Sequence, residues 1–245
     1  MTNSFFIIKE LILADFKELS RNTKDIVWTI FVPLVLTLLL GLTFGADYMQ
    51  FALPGLLAIS IMFLCLFGLT VSIVWEREIK IYRRLRVTPI KLSQIITAKI
   101  VVFIILGLVQ MSILMFIVGW FWGVSMKIHL YLLVSMLLTI FVFSTMGFVI
   151  TAFSGDMQSG CNIVNILGFS MLYLGGALFP LDASHFALRA LSMINPLRYV
   201  RDIFYVTLYN PNSLNLTSVN VIAILGFGLI FLVVSLWKFR WDVLS

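Results

Sequence analysis

Charged side chains are scarce in this chain of 245 residues, because Asp, Glu, Lys and Arg together make up only 11% of it. A soluble globular domain carries about 25% charged residues, so this sequence has too few of them to cover a water-exposed surface. Hydrophobic residues account for 61% of the chain, and its mean hydropathy is +1.08. These proportions indicate an integral membrane protein and exclude a soluble globular fold.

Cysteine and histidine are also rare, with two of each: Cys65, Cys161, His129 and His185. Both cysteines lie in or beside apolar segments, where a thiol packs as a small hydrophobic group. Neither a disulfide framework nor a metal-ligand spacing is present, so we predict no metal site. The Gly-x4-Gly-Lys-Ser/Thr loop that cradles nucleotide phosphates is absent as well. We therefore predict that the chain is not an enzyme by itself and holds no cofactor.

Apolar segments of about 20 residues recur along the chain, which is the length of a helix that crosses the bilayer core. The ten-residue alternating patterns of membrane barrels are absent, so we predict an all-α membrane protein. Six transmembrane helices can be drawn, at 26–45, 51–74, 95–121, 130–153, 161–179 and 219–237. No internal repeat is visible, and residues 1–245 are predicted to form a single transmembrane domain.

The distribution of Lys and Arg sets the orientation, because these residues collect in the cytoplasmic segments of membrane proteins. With the N-terminus inside, 13 of the 17 Lys and Arg residues fall on inner segments and 4 on outer ones. We therefore predict that both termini are cytoplasmic. The same distribution accounts for the formal net charge of +6 without a nucleic-acid partner.

Two of the non-spanning segments have a helical character. Residues 1–25 place an apolar face along one side of a helix, and we predict an interfacial helix on the inner leaflet. Residues 181–217 form the longest outer segment, where Asn195-Pro196 breaks the chain and several charges make a further span costly. We predict an outer insert of short helices there, before the last span.

The third non-spanning segment, 75–92, holds a concentrated run of charges. Within it Trp75, Ile79, Tyr82 and Leu85 fall on one face of a helix, and Pro89 ends the pattern. We predict one amphipathic helix, continuous with span two and displayed on the cytoplasmic surface. A loop that merely fixes topology is the alternative, but two glutamates ahead of several cations, together with an apolar face, favour a docking element.

These residues resemble the signature of ABC-2 type transporter permeases. The resemblance rests on five motifs and extends over essentially the whole chain. The motifs are Glu76-Arg77-Glu78, the basic run Arg83-Arg84-Leu85-Arg86 before Thr88-Pro89, the lysine Lys99, Phe179-Pro180-Leu181, and the segment 191–199. The sequence is most similar in style to bacterial permeases for drug resistance and antibiotic export.

The resemblance implies a half-transporter in the bacterial plasma membrane, working as a dimer, with a homodimer expected. Each subunit would bind a separate cytoplasmic ATPase that holds ATP and Mg, and segment 75–92 would be its coupling helix. The substrate would be an amphipathic drug, lipid-linked molecule or antimicrobial peptide, exported by alternating access. The residues implied in the coupling contact are Glu76, Arg77, Glu78, Tyr82, Arg83, Arg84, Arg86 and Pro89.

Asn162 and Asn165 share a face of span five and, with Phe179, are candidates for the translocation pathway. Two other functions stay open. A gradient-driven ion or solute carrier is disfavoured, because no carboxylate lies at mid-depth in a span. A sensory or assembly subunit that binds a partner without transporting anything is the second alternative.

Overall fold

The computed structural model of the protein describes residues 4–21, 23–88, 90–178, 186–210 and 214–238. Within those ranges the chain forms helices and turns without a strand, so the predicted all-α fold is confirmed. The helices are α1 (Ser4–Arg21), α2 (Thr23–Phe63), a π-helical turn (Leu64–Leu69), α3 (Thr70–Glu78), α4 (Ile81–Arg86), α5 (Leu92–Trp122), α6 (Leu130–Phe153), α7 (Met157–Leu174), α8 (Phe186–Ser192), α9 (Pro196–Tyr209) and α10 (Leu214–Lys238).

One apolar helical stretch is much longer than a bilayer is thick. It covers Ile30–Glu78, 49 residues, and passes through α2, the π-helical turn and α3. A straight helix of that size would be ~73 Å long, more than twice the roughly 30 Å hydrocarbon core. The chain bends at Gly45, whose φ of 80° lies in the left-handed region that favours glycine. The bend separates the predicted spans 26–45 and 51–74.

Four stretches of the described chain are long and apolar enough to cross a membrane: Ile30–Glu78, Ser93–Trp122, Leu130–Phe153 and Ser218–Lys238. The first contains most of the predicted first span and all of the second, and the other three closely match predicted spans three, four and six. Helix α7, which holds most of the predicted fifth span, is not among the four. It has 18 residues and carries three amide side chains in its first half. The count of six spans therefore stays a prediction.

The π-helical turn lies in the interior and packs against α6. The carbonyl oxygen of Cys65 in this turn lies close to Gly147 of α6. A Cβ added to Gly147 would be 2.9 Å from that oxygen, so a residue with a side chain does not fit there. The Cys65 side chain is buried, and its thiol donates a weak hydrogen bond to the carbonyl oxygen of Ile140 at 3.8 Å. Helix α6 is thus fitted closely to the middle of the second predicted span.

The segment after α7 is wedged against α2 at the end of the bundle predicted to lie outside. The hydroxyl of Tyr48 donates a hydrogen bond to the carbonyl oxygen of Leu178 at 2.8 Å. A Cβ added to Gly55 would lie only 1.9 Å from the carbonyl oxygen of Ala177. Since that neighbour is backbone, the contact tolerates no side chain on Gly55.

Two side chains of segment 181–217, the predicted outer insert, hold the end of α7 and the turn after it. The Asn195 amide donates to the carbonyl oxygen of Met171 at 2.8 Å and accepts from the amide of Leu197, which caps α9. The Arg201 guanidinium donates to the carbonyl oxygen of Gly176 at 2.6 Å. The Met171 carbonyl also accepts from the backbone amide of Gly175 at 2.7 Å, and Gly176 follows the end of α7, so these bonds fasten the end of α7 and the turn after it to α9 and the residue before it. Two short helices, α8 and α9, lie within segment 181–217, and α10 begins before residue 217. The position of this segment outside the membrane stays a prediction.

The substitution Gly55→Ala should reduce stability by about 1–3 kcal/mol, because its methyl group would collide with backbone at Ala177. The readout is the thermal unfolding midpoint of the detergent-extracted protein. Gly226→Ala in α10 is the matched control, since a Cβ there meets nothing within 4 Å. Equal midpoints for the two variants would contradict the close approach of α2 to the segment after α7.

Candidate functional site

The charged segment forms two helices rather than the single helix predicted from its sequence. Helix α3 ends at Glu78, Ile79 and Lys80 form a turn, and α4 starts at Ile81. Lys80 has a φ of 62°, a left-handed conformation that stops the helix and reverses the chain. This turn brings Tyr82 back to α3, where its hydroxyl donates to Glu76 Oε2 at 2.7 Å. The prediction of one continuous amphipathic helix is therefore wrong.

Glu76 lies at the centre of a buried cluster of polar groups and is only 4% exposed. Its Oε1 accepts a hydrogen bond from the Lys99 ammonium of α5, forming a salt bridge. Lys99 Nζ also donates to Asp15 Oδ1 of α1 at 3.1 Å and to Ser72 Oγ of α3 at 3.0 Å. A buried charge is tolerated only when it is paired and hydrogen-bonded, so these contacts lock together α1, α3, α4 and α5.

Arg77, the next residue, binds a different helix. It is 3% exposed, and one guanidinium nitrogen donates to the carbonyl oxygens of Thr151 at 2.9 Å and Ser154 at 3.1 Å. These carbonyls end α6, where the helix dipole presents its negative pole. The cation of Arg77 therefore caps α6 and joins its C-terminus to α3.

Glu78 in turn holds the start of α7. Its carboxylate accepts a hydrogen bond from the backbone amide of Met157 at 2.8 Å, at the positive pole of that helix. Asp156 caps the same end with Ser159, and the hydrogen bonds from Ser159 lower the pKa of the Asp156 carboxyl. Three consecutive residues of α3 thus contact four other helices: Glu76 reaches α4 and α5, Arg77 reaches α6, and Glu78 reaches α7.

The remaining predicted coupling residues lie around this cluster. Arg84 is exposed on α4, whereas the side chains of Arg83 and Arg86 and the whole of Pro89 fall outside the described residues. Glu76, Arg77 and Tyr82 are buried, and their charges and hydroxyl have partners inside the chain. The part of all eight residues in a coupling contact stays a prediction.

The candidate pathway residues are placed differently. Asn162 and Asn165 are both exposed on the same side of α7, and Asn162 accepts a hydrogen bond from Gln158 at 3.2 Å. Phe179 lies outside the described residues. The structure therefore brings the two asparagines together on an open helix face, away from the cluster around Glu76.

Sequence reasoning missed Asp15, Ser72 and Lys99 as members of the cluster. A signal was available for Lys99, because it is a lone cation inside the predicted third span and an ionisable residue in a span needs a partner. No comparable signal marks Asp15, which is one acid among several in an N-terminal helix. Its pairing with Lys99 joins residues 84 positions apart and appears only in three dimensions.

Burial in the cluster raises the pKa of the Tyr82 hydroxyl and of the Asp15 carboxyl, and so favours the neutral form of both groups. Burial, followed by the neighbouring Glu76 carboxylate, raises the pKa of the Tyr82 hydroxyl well above its ordinary value, so it remains a donor. Burial also raises the pKa of Asp15, although Lys99 opposes this. Oxygens of Asp15, Glu18 and Glu76 lie within 4.8 Å of one another, close enough for a metal ion. The ammonium group of Lys99 already provides a positive charge beside two of these carboxyl groups, those of Asp15 and Glu76.

Comparison with known proteins connects this arrangement to a family. The model of the ABC-2 type transporter family matches residues 8–209, from α1 to the end of α9. The chain belongs to the ABC-2 type transporter family. It is also 26% identical over 213 residues to "Putative transport permease ycf38" of Cyanophora paradoxa, covering 80% of this chain and 73% of that protein. The chain is accordingly a membrane transport permease, and its buried cluster lies within the matched region.

Removing the cation of the cluster should destabilise the permease. In Lys99→Met the buried Glu76 and the partly buried Asp15 lose their counter-charge, and we expect a loss of about 3–5 kcal/mol in the free energy of unfolding, with partial recovery when Glu76→Gln is added. The measurement is the thermal unfolding midpoint in detergent. Lys9→Met, which removes an exposed cation from α1, is the control. An unfolding midpoint for Lys99→Met equal to that of the control would refute the importance of the pair.

Proposed function

We propose that this permease is the membrane-spanning subunit of an ATP-driven exporter, which works as a dimer with a separate cytoplasmic ATPase on each copy. One observation carries the proposal: Glu76, Arg77 and Glu78 each hold a different part of the bundle, directly before an exposed turn. A partner that pushes on that turn would move α3 and, through it, four other helices. ATP and Mg²⁺ would be bound by the ATPase and not by this chain.

The docking surface for the ATPase would be the exposed part of residues 79–88, which we call the turn surface. It combines apolar and cationic groups: Ile79 is 40% exposed, Val87 is 88% exposed, and Lys80 and Arg84 are also exposed. Exposed apolar side chains beside cations fit a partner groove that is apolar and lined with acids. The family to which the chain belongs supports an ATPase as that partner.

The mechanism would be alternating access driven from the turn surface. Closure of two ATPases on ATP would bring the turn surfaces of two copies together and tilt both α3 helices. The Glu78 contact would then carry the movement to the start of α7, while Arg77 would carry it to the end of α6. Packed helices transmit such shifts as units because close-packed interiors deform little.

The substrate would travel along the open face of α7. That face exposes the amides Asn162 and Asn165 next to Ile166, Phe169 and Tyr173. An amide in contact with hydrocarbon lacks hydrogen-bond partners, which is costly, so a second copy or the pathway itself is the better neighbour. A surface of amides and aromatic rings suits an amphipathic substrate such as a drug, a lipid-linked molecule or an antimicrobial peptide. Phe179, which follows α7, would lie farther along the same route.

The proposed topology has six crossings, with both termini in the cytoplasm of a bacterial cell. Two crossings would come from Ile30–Glu78, on either side of Gly45, and one from α7 despite its amides. Helices α5, α6 and α10 would supply the other three. This arrangement puts the turn surface and the buried cluster at the cytoplasmic end, where an ATPase can reach them.

Reversing one charge on the turn surface should weaken ATPase binding without unfolding the permease. For Arg84→Glu we expect at least a tenfold lower yield of co-purified ATPase, about 1.4 kcal/mol, because a cation facing an acidic groove becomes an anion. The measurement is gentle extraction of the native complex followed by quantitative mass spectrometry. Lys127→Glu makes the same charge change on the segment predicted to be outer and should leave the yield unchanged.

The same preparation separates the proposed function from its alternatives. A soluble chain carrying a phosphate-binding loop should co-purify in equal amount, and substrate efflux from reconstituted vesicles should stop when ATP is depleted. Efflux that continues without ATP would identify a gradient-driven carrier. A bound partner without any efflux would identify a sensory or assembly subunit.

A further inference from the structure

Helix α1 turns one side toward the bundle, where it packs along α5. Ser4 accepts a hydrogen bond from Gln94 at 2.8 Å, Leu11 packs against the core, and Asp15 accepts a hydrogen bond from Lys99 at 3.1 Å. The three α1 residues are spaced by seven and four positions, so they share one side of the helix. The opposite side of α1 is turned away from the bundle.

This outward face of α1 mixes large apolar groups with cations. Phe6 is 57% exposed and Leu13 is 52% exposed. Lys9 and Lys17 are exposed on the same side, and Lys17 also makes a contact within the chain. Among the described side chains of α1, Glu10 is the one exposed acid. Exposed apolar groups next to lysines are typical of a helix that lies in the headgroup region of a bilayer.

The position of α1 brings this face to the level at which the bundle enters the bilayer. Lys99, the partner of α1, lies inside the membrane-crossing stretch Ser93–Trp122. Between Ser4 and Asp15 α1 advances ~16 Å, whereas between their partners Gln94 and Lys99 α5 advances only ~8 Å. Helix α1 therefore lies obliquely across the start of α5, as expected of a helix near the membrane plane beside one that crosses the bilayer.

We propose that the outward face of α1, formed by Phe6, Lys9, Leu13 and Lys17, rests on the adjacent lipid leaflet and binds anionic headgroups. The sequence predicts a helix on the leaflet, and the structure adds which side of it meets the lipid and the charge of that lipid. The apolar side chains would enter the boundary between headgroups and acyl chains, while the ammonium groups would pair with lipid phosphates. The inference depends on the proposed topology only for the name of the leaflet, the cytoplasmic one.

Side-chain size and charge favour a lipid surface over another helix as the occupant of this face. Helices that pack on each other in a membrane do so through small side chains that allow close approach, whereas Phe6, Lys9, Leu13 and Lys17 are all large. The two lysines would also repel the identical face of a second copy. A negatively charged lipid surface complements both lysines, and their long stems can lie along it.

The experiment measures which molecules touch the outward side of α1 in the whole chain. A bimane fluorophore is attached to Ala14→Cys, an exposed position on α1, after Cys65 and Cys161 are replaced by alanine. The protein is placed in lipid nanodiscs without any ATPase. Quenching of the fluorophore is recorded with phosphatidylcholine or phosphatidylglycerol that carries a nitroxide close to the headgroup, and with iodide, which quenches from water.

Both nitroxide lipids should quench the fluorophore more strongly than iodide does, because lipid covers this face. At equal mole fraction, phosphatidylglycerol should quench at least about fivefold more effectively than phosphatidylcholine, since one lysine near an anionic surface contributes about 1 kcal/mol. Lys9→Gln should reduce this preference about fivefold. Raising the salt from 0.1 M to 1 M should also weaken it, because the screening length falls from ~10 Å to ~3 Å.

The matched control is Lys127→Gln, which removes an exposed cation beyond the opposite end of α5 and should leave the preference unchanged. Equal quenching by the two lipids, or a preference that Lys9→Gln does not reduce, would overturn the binding of anionic lipid. Strong quenching by iodide with little quenching by either lipid would overturn the contact with the leaflet and show a face open to a protein partner. Because no ATPase is present, failure of this inference leaves the proposed exporter function untouched.

Discussion

The salt bridge between Lys99 and Glu76 is the contact on which the helix arrangement around α3 depends. A charge buried between helices is out of contact with water and must find its partner in the protein. Lys99 meets that condition through Glu76, Asp15 and Ser72 together. Because those partners belong to α1 and α3, pairing one cation fixes the relative positions of three helices at once.

The two ends of the bundle are held by different physical means. At the end that carries α3, the charged triad attaches to helix ends and to a buried counter-charge, so the contacts are directional and few. At the opposite end, the fit of backbone against Gly55 combines with hydrogen bonds to carbonyls at and just after the end of α7. Hydrogen bonds from other helices therefore hold α7 at both ends, while the face between them that carries Asn162 and Asn165 is exposed.

Much of the architecture could be read from the sequence, because apolar length and charge position are local properties. The predicted span 130–153 coincides with α6, and the predicted N-terminal helix corresponds to α1. The break at Lys80 could not be read in this way: a lysine carries no signal for a left-handed conformation, and the helical spacing continues unbroken through it. The triad Glu76-Arg77-Glu78 was identifiable as important from its position. Apart from Ser72 and Tyr82, which are near Glu76 in the sequence, its partners were not, since Lys99, Thr151, Ser154 and Met157 are distant in the sequence and are brought close only by packing.

The π-helical turn at Leu64–Leu69 sets the direction in which the side chains of Glu76, Arg77 and Glu78 point, although it lies two to three helical turns before them. Each residue of an α-helix advances the direction of the side chains by about 100°, and a π-helical turn holds one more residue than the α-helical turn it replaces. The added residue therefore rotates the side chains that follow it on the same helix, including those of Glu76, Arg77 and Glu78, by about 100°. A sequence one residue shorter here would be just as hydrophobic and would still span the membrane, yet its three charges would face the wrong neighbours. Hydropathy profiles are insensitive to this kind of change, so aligning ABC-2 permeases by their spans alone can leave the positions of Glu76, Arg77 and Glu78 out of phase.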